Sequence, residues 1–336
     1  MPEYICTMGP SISSLEKIIE LYHLGLKTIR FNMSHIDYDI NEILKIIQQA
    51  EKEVNGKIFT LLDTRGSEIR IKVPFTRQIH KGEILTLGID FFINIPYNGL
   101  ILSDDIIQID DGKIKFKVLA SNGDLISVIA LTDGKLKNEA GMYLERLAST
   151  LPFLSKEDVK HFHFAFSNNL DWVACSFVRT EDDIQSVLEI KRIYPNCQTK
   201  IMAKIETKEA VLNLDKIIQI SDGIMIARGD LGVSFPLHLI ATLEEYIAQK
   251  AISKETVLTI GTGFLRSMKQ RSFPERAEVT DLYQAFHFTN KIMFSGETAI
   301  ADDPSSILRT ANLIYDSLTN ESIHELKVKK YEMENN

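Results

Sequence analysis

The residues best suited to chemistry lie at the ends of short apolar runs. In Lys200–Ile205, strand alternation puts Lys200, Met202, Lys204 and Glu206 on one face, with Ile201, Ala203 and Ile205 on the other. A lysine and a glutamate near a protein interior are costly unless they pair or bind something. By themselves they read equally as a salt bridge closing a strand end or as half of a ligand site. The next apolar run, Gly223–Ala227, leads into Arg228-Gly-Asp-Leu-Gly232 and brings a second carboxylate, Asp230. Two carboxylates from adjacent strands suit a hard divalent cation such as Mg2+, which is held by one or two carboxylates plus phosphate oxygens. Lys204 could then neutralise a transferring phosphoryl group. The Ala227–Gly232 stretch reads as a glycine-bracketed turn whose N–H groups could receive a carboxylate or phosphate. Two further strand ends are polar: Arg30, Asn32 and Ser34 alternate with Ile29, Phe31 and Met33, and Phe59–Leu62 ends in Asp63-Thr64. Metal, lysine and anion cradle together make a phosphoryl-transfer set.

Eight β-rich runs carry these groups, at 4–7, 28–32, 58–63, 172–177, 200–205, 223–227, 256–260 and 291–294. Helical patterns separate them. The first opens on Ser13-Ser-Leu-Glu16, a capping box, and stops at Gly25; others cover about 37–54, 155–168, 180–192, 207–218, 237–252, 263–288 with a break near Pro274, and 303–318. This alternation predicts an α/β fold, a (β/α)8 TIM barrel with its active site at the carboxyl ends of the strands. No Gly-x-Gly-x-x-Gly turn follows a strand, so an open doubly wound sheet fits less well. Residues 74–148 break the rhythm. There Ile107 and Ile109 precede the turn Asp110-Asp-Gly112, then Ile114, Phe116 and Val118 alternate with lysines, and a second turn stands at Asp133-Gly134. The block reads as a small antiparallel β-domain inserted after strand three, either a lid over the catalytic face or an inert decoration. The expected division is a barrel from 1–73 and 149–323, the insert at 74–148, and a polar tail at 324–336.

The 336 residues include 44% hydrophobic and 25% charged residues, as in globular proteins. The formal charge of −8 argues against sequence-independent nucleic-acid binding. No apolar run approaches the length of a membrane span, and the first residues lack a signal-peptide pattern. Three cysteines without a Cys-x-x-Cys pair speak against a disulfide framework or a zinc site. The expectation is a cytoplasmic protein with small-molecule substrates, and neither nucleic acid nor membrane as partner. His161 and His163 resemble a metal pair but fall at i and i+2 of an expected helix, where they do not share a face, and read as structural.

In this order the motifs resemble the pyruvate kinase family almost end to end. Cys6-Thr-Met-Gly-Pro is similar to its opening strand, Arg30-Phe-Asn-Met-Ser-His35 to its Arg-x-Asn-Phe-Ser-His, and Leu62-Asp-Thr-Arg-Gly-Ser-Glu-Ile-Arg70 to its Leu-Asp-Thr-Lys-Gly-Pro-Glu-Ile-Arg. Ile109-Asp-Asp-Gly-Lys-Ile resembles the lid turn, and Leu151-Pro-Phe-Leu-Ser-Lys-Glu-Asp158 the re-entry into the barrel. Lys204-Ile-Glu206, Ala227-Arg-Gly-Asp-Leu-Gly232 and Ser295-Gly-Glu-Thr-Ala299 are the strongest signals.

The resemblance implies transfer of a phosphoryl group between phosphoenolpyruvate and ADP, giving pyruvate and ATP. Lys204 would bridge the phosphoryl group and the enolate oxygen, and Glu206 and Asp230 would hold Mg2+ or Mn2+. Backbone N–H groups of Gly229 and Asp230 would receive the substrate carboxylate, and Thr262 would help organise protonation of the enolate. Arg30 would stabilise transferring charge, and Arg30, Asn32 and His35 would lie toward the nucleotide. Asn32, Ser34, Asp63 and Thr64 would ligate K+, with Glu68 accompanying K+ dependence. Two plainer readings stand beside these: an internal Arg30–Asp63 pair, and Thr262 as a helix N-cap.

The sequence departs from the family in places. The seventh strand end reads Gly261-Thr-Gly-Phe-Leu-Arg-Ser-Met, where the family has Ala-Thr-Gln-Met-Leu-Glu-Ser-Met. The lid exit, Lys137-Asn-Glu-Ala-Gly-Met-Tyr, replaces a more basic segment, and Ser67 replaces a proline. The family's C-terminal regulatory domain has no counterpart after about residue 318, which leaves effector control unexpected and a homo-oligomer possible. Three readings follow: a compact pyruvate kinase, a relative acting on a related phosphoenol or 2-oxo acid in biosynthesis, or a non-catalytic metabolite-binding relative.

Overall fold

The computed structural model describes residues 1–110 and 112–318; the tail expected at 324–336 lies outside the described residues. Eight parallel strands close into a barrel. In chain order they are β1 (Glu3–Thr7), β2 (Leu26–Asn32) and β3 (Phe59–Asp63), then, after nine strands of the insert, β13 (Trp172–Cys175), β14 (Lys200–Ile205), β15 (Gly223–Ala227), β16 (Val257–Gly261) and β17 (Lys291–Phe294). The strands run nearly all apolar because both their faces are covered. Inward residues Ile5, Leu61, Ala174, Met202, Met225 and Met293 fill the barrel as a cluster of their own. Outward ones such as Ile29, Phe31, Ile201, Ala203 and Ile205 join the larger core under the helices. The face assignment read from alternation in β14 is the one the barrel adopts.

Several bounds differ from the sequence reading. β13 ends at Cys175 instead of 177, because Phe177 takes a left-handed φ of 54° that a strand cannot continue. The expected helix at 207–218 is two helices, Lys208–Leu212 and Leu214–Ile220, joined at Asn213. The one expected at 263–288 is a 3-10 turn, Arg266–Lys269, and a helix that begins only at Arg276, beyond Pro274. Ala227–Gly232 is not a turn: a short helix, Arg228–Ser234, starts directly at the end of β15, and its buried Leu231 anchors it to the core.

The chain between β3 and β13 forms β4 (Ile69–Lys72), β5 (Arg77–Ile79), β6 (Ile84–Leu87), β7 (Phe92–Ile93), β8 (Ile106–Ile109), β9 (Ile114–Asn122), β10 (Leu125–Ala130), β11 (Gly134–Leu136) and β12 (Gly141–Tyr143). They make an antiparallel sheet in the order β6-β10-β9-β8-β12-β4-β7, with β5 and β11 paired beside it. This body has its own core, in which Phe91 and Phe116 stack at 5.8 Å between ring centroids. Each such fully buried aliphatic or aromatic side chain contributes about 1.5–3 kcal/mol. The insert touches the barrel at the carboxyl ends of its strands. Gln108, at the end of β8, donates from Nε2 to the carbonyl of Val233 at 2.9 Å, in the helix that carries Asp230. Between the two bodies lies a cavity of about 90 Å³ whose lining includes Glu68, Gln108, Tyr143, Phe177, Asp230 and Ser234.

Candidate active site

Barrel register sets which strand ends meet. Asn32 pairs with Asp63, Ala174 with Asp63, Ile205 with Ile226, and Ala227 with Gly261. The residues that follow each pair therefore emerge side by side from neighbouring strands.

Lys204 stands at the centre and is only 8% exposed. Its Nζ donates to Ser176 Oγ at 2.8 Å and makes ion pairs with Asp63 Oδ1 at 3.3 Å and Glu206 Oε2 at 3.4 Å. Burial alone would drive this amine toward its neutral form. The carboxylates of Asp63, Glu206 and Asp230 outweigh it and hold the ammonium charged, above the ordinary lysine value. Arg30, 7% exposed, donates from Nε to Asp63 Oδ2 at 2.7 Å and from Nη1 to Thr7 Oγ1 at 2.9 Å. Asp63 thus lies between two cations, which overcome its burial and keep its carboxyl below the usual range. Both pairings named as the plainer readings, Lys204–Glu206 and Arg30–Asp63, are present.

Glu206 is 1% exposed. One oxygen, Oε1, accepts the backbone N–H of Phe177 at 2.6 Å. The other, Oε2, is buried without a hydrogen-bond donor among the described residues and lies 3.4 Å from Lys204 Nζ. Burial, with Asp230 and Asp63 nearby, pushes the Glu206 carboxyl upward despite Lys204 and the Phe177 N–H. A buried carboxylate with an under-satisfied oxygen and an acidic neighbour fits the donor set of a hard divalent cation. Among the described residues no group of three or more His, Cys, Asp and Glu side chains could hold a metal. A two-carboxylate site would need its remaining ligands from substrate and water, as Mg2+ sites commonly do.

Asp230 is half-buried in the first turn of helix 228–234. The N–H of Gly229 reaches Thr262 Oγ1 at 3.4 Å. Thr262 is not the N-cap of the segment that follows it: the 3-10 turn starts at Arg266 and its cap residue is Leu265. Thr262 instead has a left-handed φ of 77°, an outlier for a β-branched residue.

The expected K+ set is brought together by the β2–β3 register. Asn32 Oδ1 accepts the Ser34 N–H at 3.2 Å, and the Asp63 carbonyl accepts the Met33 N–H at 3.0 Å. Thr64 Oγ1 donates to the Ala174 carbonyl at 3.2 Å. Because Asp63 already engages Arg30 and Lys204, it offers a shared carboxylate. His35 lies at the rim with its ring partly buried; that burial first, then the charges of Arg70, Arg30 and Arg65, lower its pKa. Glu68 pairs with Arg70, and its carboxyl is raised by burial despite that partner. His161 and His163 point to structural partners: His163 Nδ1 lies 2.9 Å from the Tyr194 hydroxyl, and His161 lies beside Asp158.

The site includes three groups that the residue pattern did not single out. Ser176 accepts from Lys204 and donates to the Thr64 carbonyl at 2.6 Å. The Phe177 N–H holds Glu206, and Arg228 holds Thr262 through its carbonyl. The available signal was position, since Ser176 and Phe177 follow a barrel strand as Glu206 does.

The chain matches the profile "Pyruvate kinase, barrel domain" over residues 2–307. It is 32% identical to a pyruvate kinase of Bacillus licheniformis, over 96% of this chain and 58% of that protein. It is 35% identical to one of Methanocaldococcus jannaschii, over 92% of this chain and 68% of that protein. A solved pyruvate kinase from Cryptosporidium parvum superposes with a TM-score of 0.85 at 28% identity, covering 94% of this chain and 68% of the other. The chain spans 58% and 55% of the lengths of the Bacillus licheniformis and Geobacillus stearothermophilus relatives it matches.

Proposed function

The chain belongs to the pyruvate kinase family, and from that premise we propose that it moves a phosphoryl group between phosphoenolpyruvate and ADP, forming pyruvate and ATP. The observation that carries this reading is the buried, charged Lys204 beside Glu206 Oε2, an acidic oxygen with no hydrogen-bond donor. Glu206 and Asp230 would hold Mg2+ or Mn2+, which when bound supplies Lewis-acid neutralisation of phosphate and enolate oxygens. Lys204 meets the transferring phosphoryl group with a charge already fixed by its carboxylate neighbours, so little reorganisation accompanies transfer. Ser176 and Asp63 keep the ammonium from swinging away, and Arg30 adds a second cation locked onto Asp63. The N–H groups of Gly229 and Asp230, in the first turn of a helix, would receive the substrate carboxylate. Thr262, against Gly229, would organise proton delivery to the enolate carbon. Asn32, Ser34, Asp63 and Thr64 would hold K+, with the nucleotide toward Arg30, Asn32 and His35.

Purified protein given phosphoenolpyruvate, MgADP and K+ should form pyruvate and ATP, and Lys204→Met should lose about 10²–10³-fold or more in kcat. Circular dichroism and phosphoenolpyruvate binding check that the variant is folded. Full activity in Lys204→Met, or none in the wild type, would overturn the assignment.

A further inference from the structure

We propose that Arg228 is a positioning residue, whose guanidinium holds the strained backbone of Thr262 and thereby sets the direction of the Thr262 hydroxyl. The inference rests on the role proposed above for Thr262. Arg228 and Thr262 directly follow the paired residues Ala227 and Gly261, so they leave the barrel side by side from adjacent strands. Arg228 donates to the Thr262 carbonyl twice, from Nη2 at 2.7 Å and from Nε at 3.2 Å. Its far side is anchored by Asp281, at 2.5 Å from Nη1 and 2.9 Å from Nη2, and by Glu244 at 3.4 Å. The guanidinium carbon lies 3.8 Å from the centroid of the Phe264 ring. With its side chain 11% exposed, Arg228 is held on every edge.

What it holds is a loop that would relax if left alone. Thr262 at φ 77° is followed by Gly263 at 88°, and Leu265 stands at 52°. A β-branched residue keeps such a conformation only where its surroundings over-determine it. The carbonyl is the handle: fixing it fixes the peptide plane after Thr262 and leaves Oγ1 3.4 Å from the Gly229 nitrogen, facing the proposed carboxylate site. The next residues of the same helix are Gly229 and Asp230, so one side chain couples the helix of the anion and metal groups to the loop of the proton-organising group. Only a planar fork can supply two donors to one carbonyl and two more to a carboxylate, which a lysine cannot copy.

Arg228→Lys is the test, because it keeps a positive charge beside Asp281 and removes the fork. Pyruvate is incubated with the enzyme in deuterium oxide with Mg2+, K+ and inorganic phosphate. A methyl proton leaves to give the enolate and a solvent deuteron returns to the same carbon, without net reaction. The expected result is a fall in exchange rate at least ten times greater than any change in KM for phosphoenolpyruvate. Exchange at the wild-type rate would overturn the proposal. Should Arg228→Lys not fold, Asp281→Asn, which frees the far side of the same guanidinium, is read in the same way. A wild type showing neither transfer nor exchange defeats the functional reading alone, and stability then decides the positioning role. With Arg228 present, Thr262→Gly should melt above Thr262→Ala, because glycine takes φ 77° without strain. In Arg228→Lys that gap should close; an equal gap in both backgrounds would refute the clamp.

Discussion

At the scale of single residues, the site is a chain of charges in which each group sets the state of the next. Arg30 and Lys204 keep Asp63 ionised against its burial, and Asp63 and Glu206 keep Lys204 protonated. Glu206 is the member left over, with an upward-shifted carboxyl and an oxygen without a donor. A cation there would satisfy that oxygen and offset the upward push on the carboxyl. The same logic bears on the monovalent site. Asp63 is shared with Arg30 and Lys204, so ligation of K+ would depend on Asn32, Ser34 and Thr64 as well. Replacing K+ by tetramethylammonium should lower the rate of pyruvate formation by about tenfold or more, since a large organic cation cannot accept compact oxygen ligation. An unchanged rate would remove these four residues from the proposed site.

At the scale of elements, strand ends and helix starts work as pairs. Helix 156–167 opens on Ser155, whose Oγ accepts the Asp158 N–H at 3.0 Å. Asp158 Oδ1 then accepts the Gly66 N–H at 3.1 Å, tying the loop after β3 to this helix. Burial would raise the Asp158 carboxyl, but the nearby His161 ring and hydrogen bonds from Ser155 and the Gly66 N–H prevail, and its pKa lies below the ordinary value. A carboxyl depressed on folding stabilises above its unfolded pKa and loses that contribution as pH falls through the folded one. Asp158→Asn should therefore cost about 1–2 kcal/mol at pH 7, and less once pH falls below the usual aspartate value of about 3.9. Urea midpoints of both proteins at pH 7 and pH 3 measure this; a difference that grows at pH 3 would contradict the sign. The helix at 228–234 shows how an element evades sequence reading. Two glycines in seven residues suggest a turn, yet burial of Leu231 and the exit direction of β15 outweigh that weak preference.

At the scale of the whole molecule, two separate cores meet over the rim that carries the candidate site. Among the described residues, polar ties from this side of the rim to the barrel helices include Gln108 to Val233 and Glu145 to Lys208. Gln108 is one of them, and it grips the helix of Asp230, whose Ser234 hydroxyl in turn donates to the Glu206 carbonyl at 3.0 Å. Gln108→Ala should loosen this tie by about 0.5–1.5 kcal/mol, the worth of a neutral hydrogen bond. The expected readout is faster amide hydrogen exchange in β8 and in helix 228–234, with a KM for phosphoenolpyruvate raised about 2–10-fold by the same free energy. Exchange rates equal to the wild type in both segments would show that the insert is not held there.

The barrel and most of its polar rim were legible in the sequence because period-2 alternation separates inward from outward side chains within each strand. That placed Lys204 with Glu206, Arg30 with Asn32, and Asp63 at a strand end, without any knowledge of neighbours. Contacts between strand ends were a different matter. The bond from Ser176 to Lys204 spans 28 residues, and that from Arg228 to Thr262 spans 34. Neither follows from local spacing, because inter-strand register and barrel closure decide which rims face one another. Helix 228–234, the left-handed turns at Phe177 and Thr262, and the donorless oxygen of Glu206 were likewise decided by tertiary packing. Each is locally unfavourable and persists only because surrounding elements hold it.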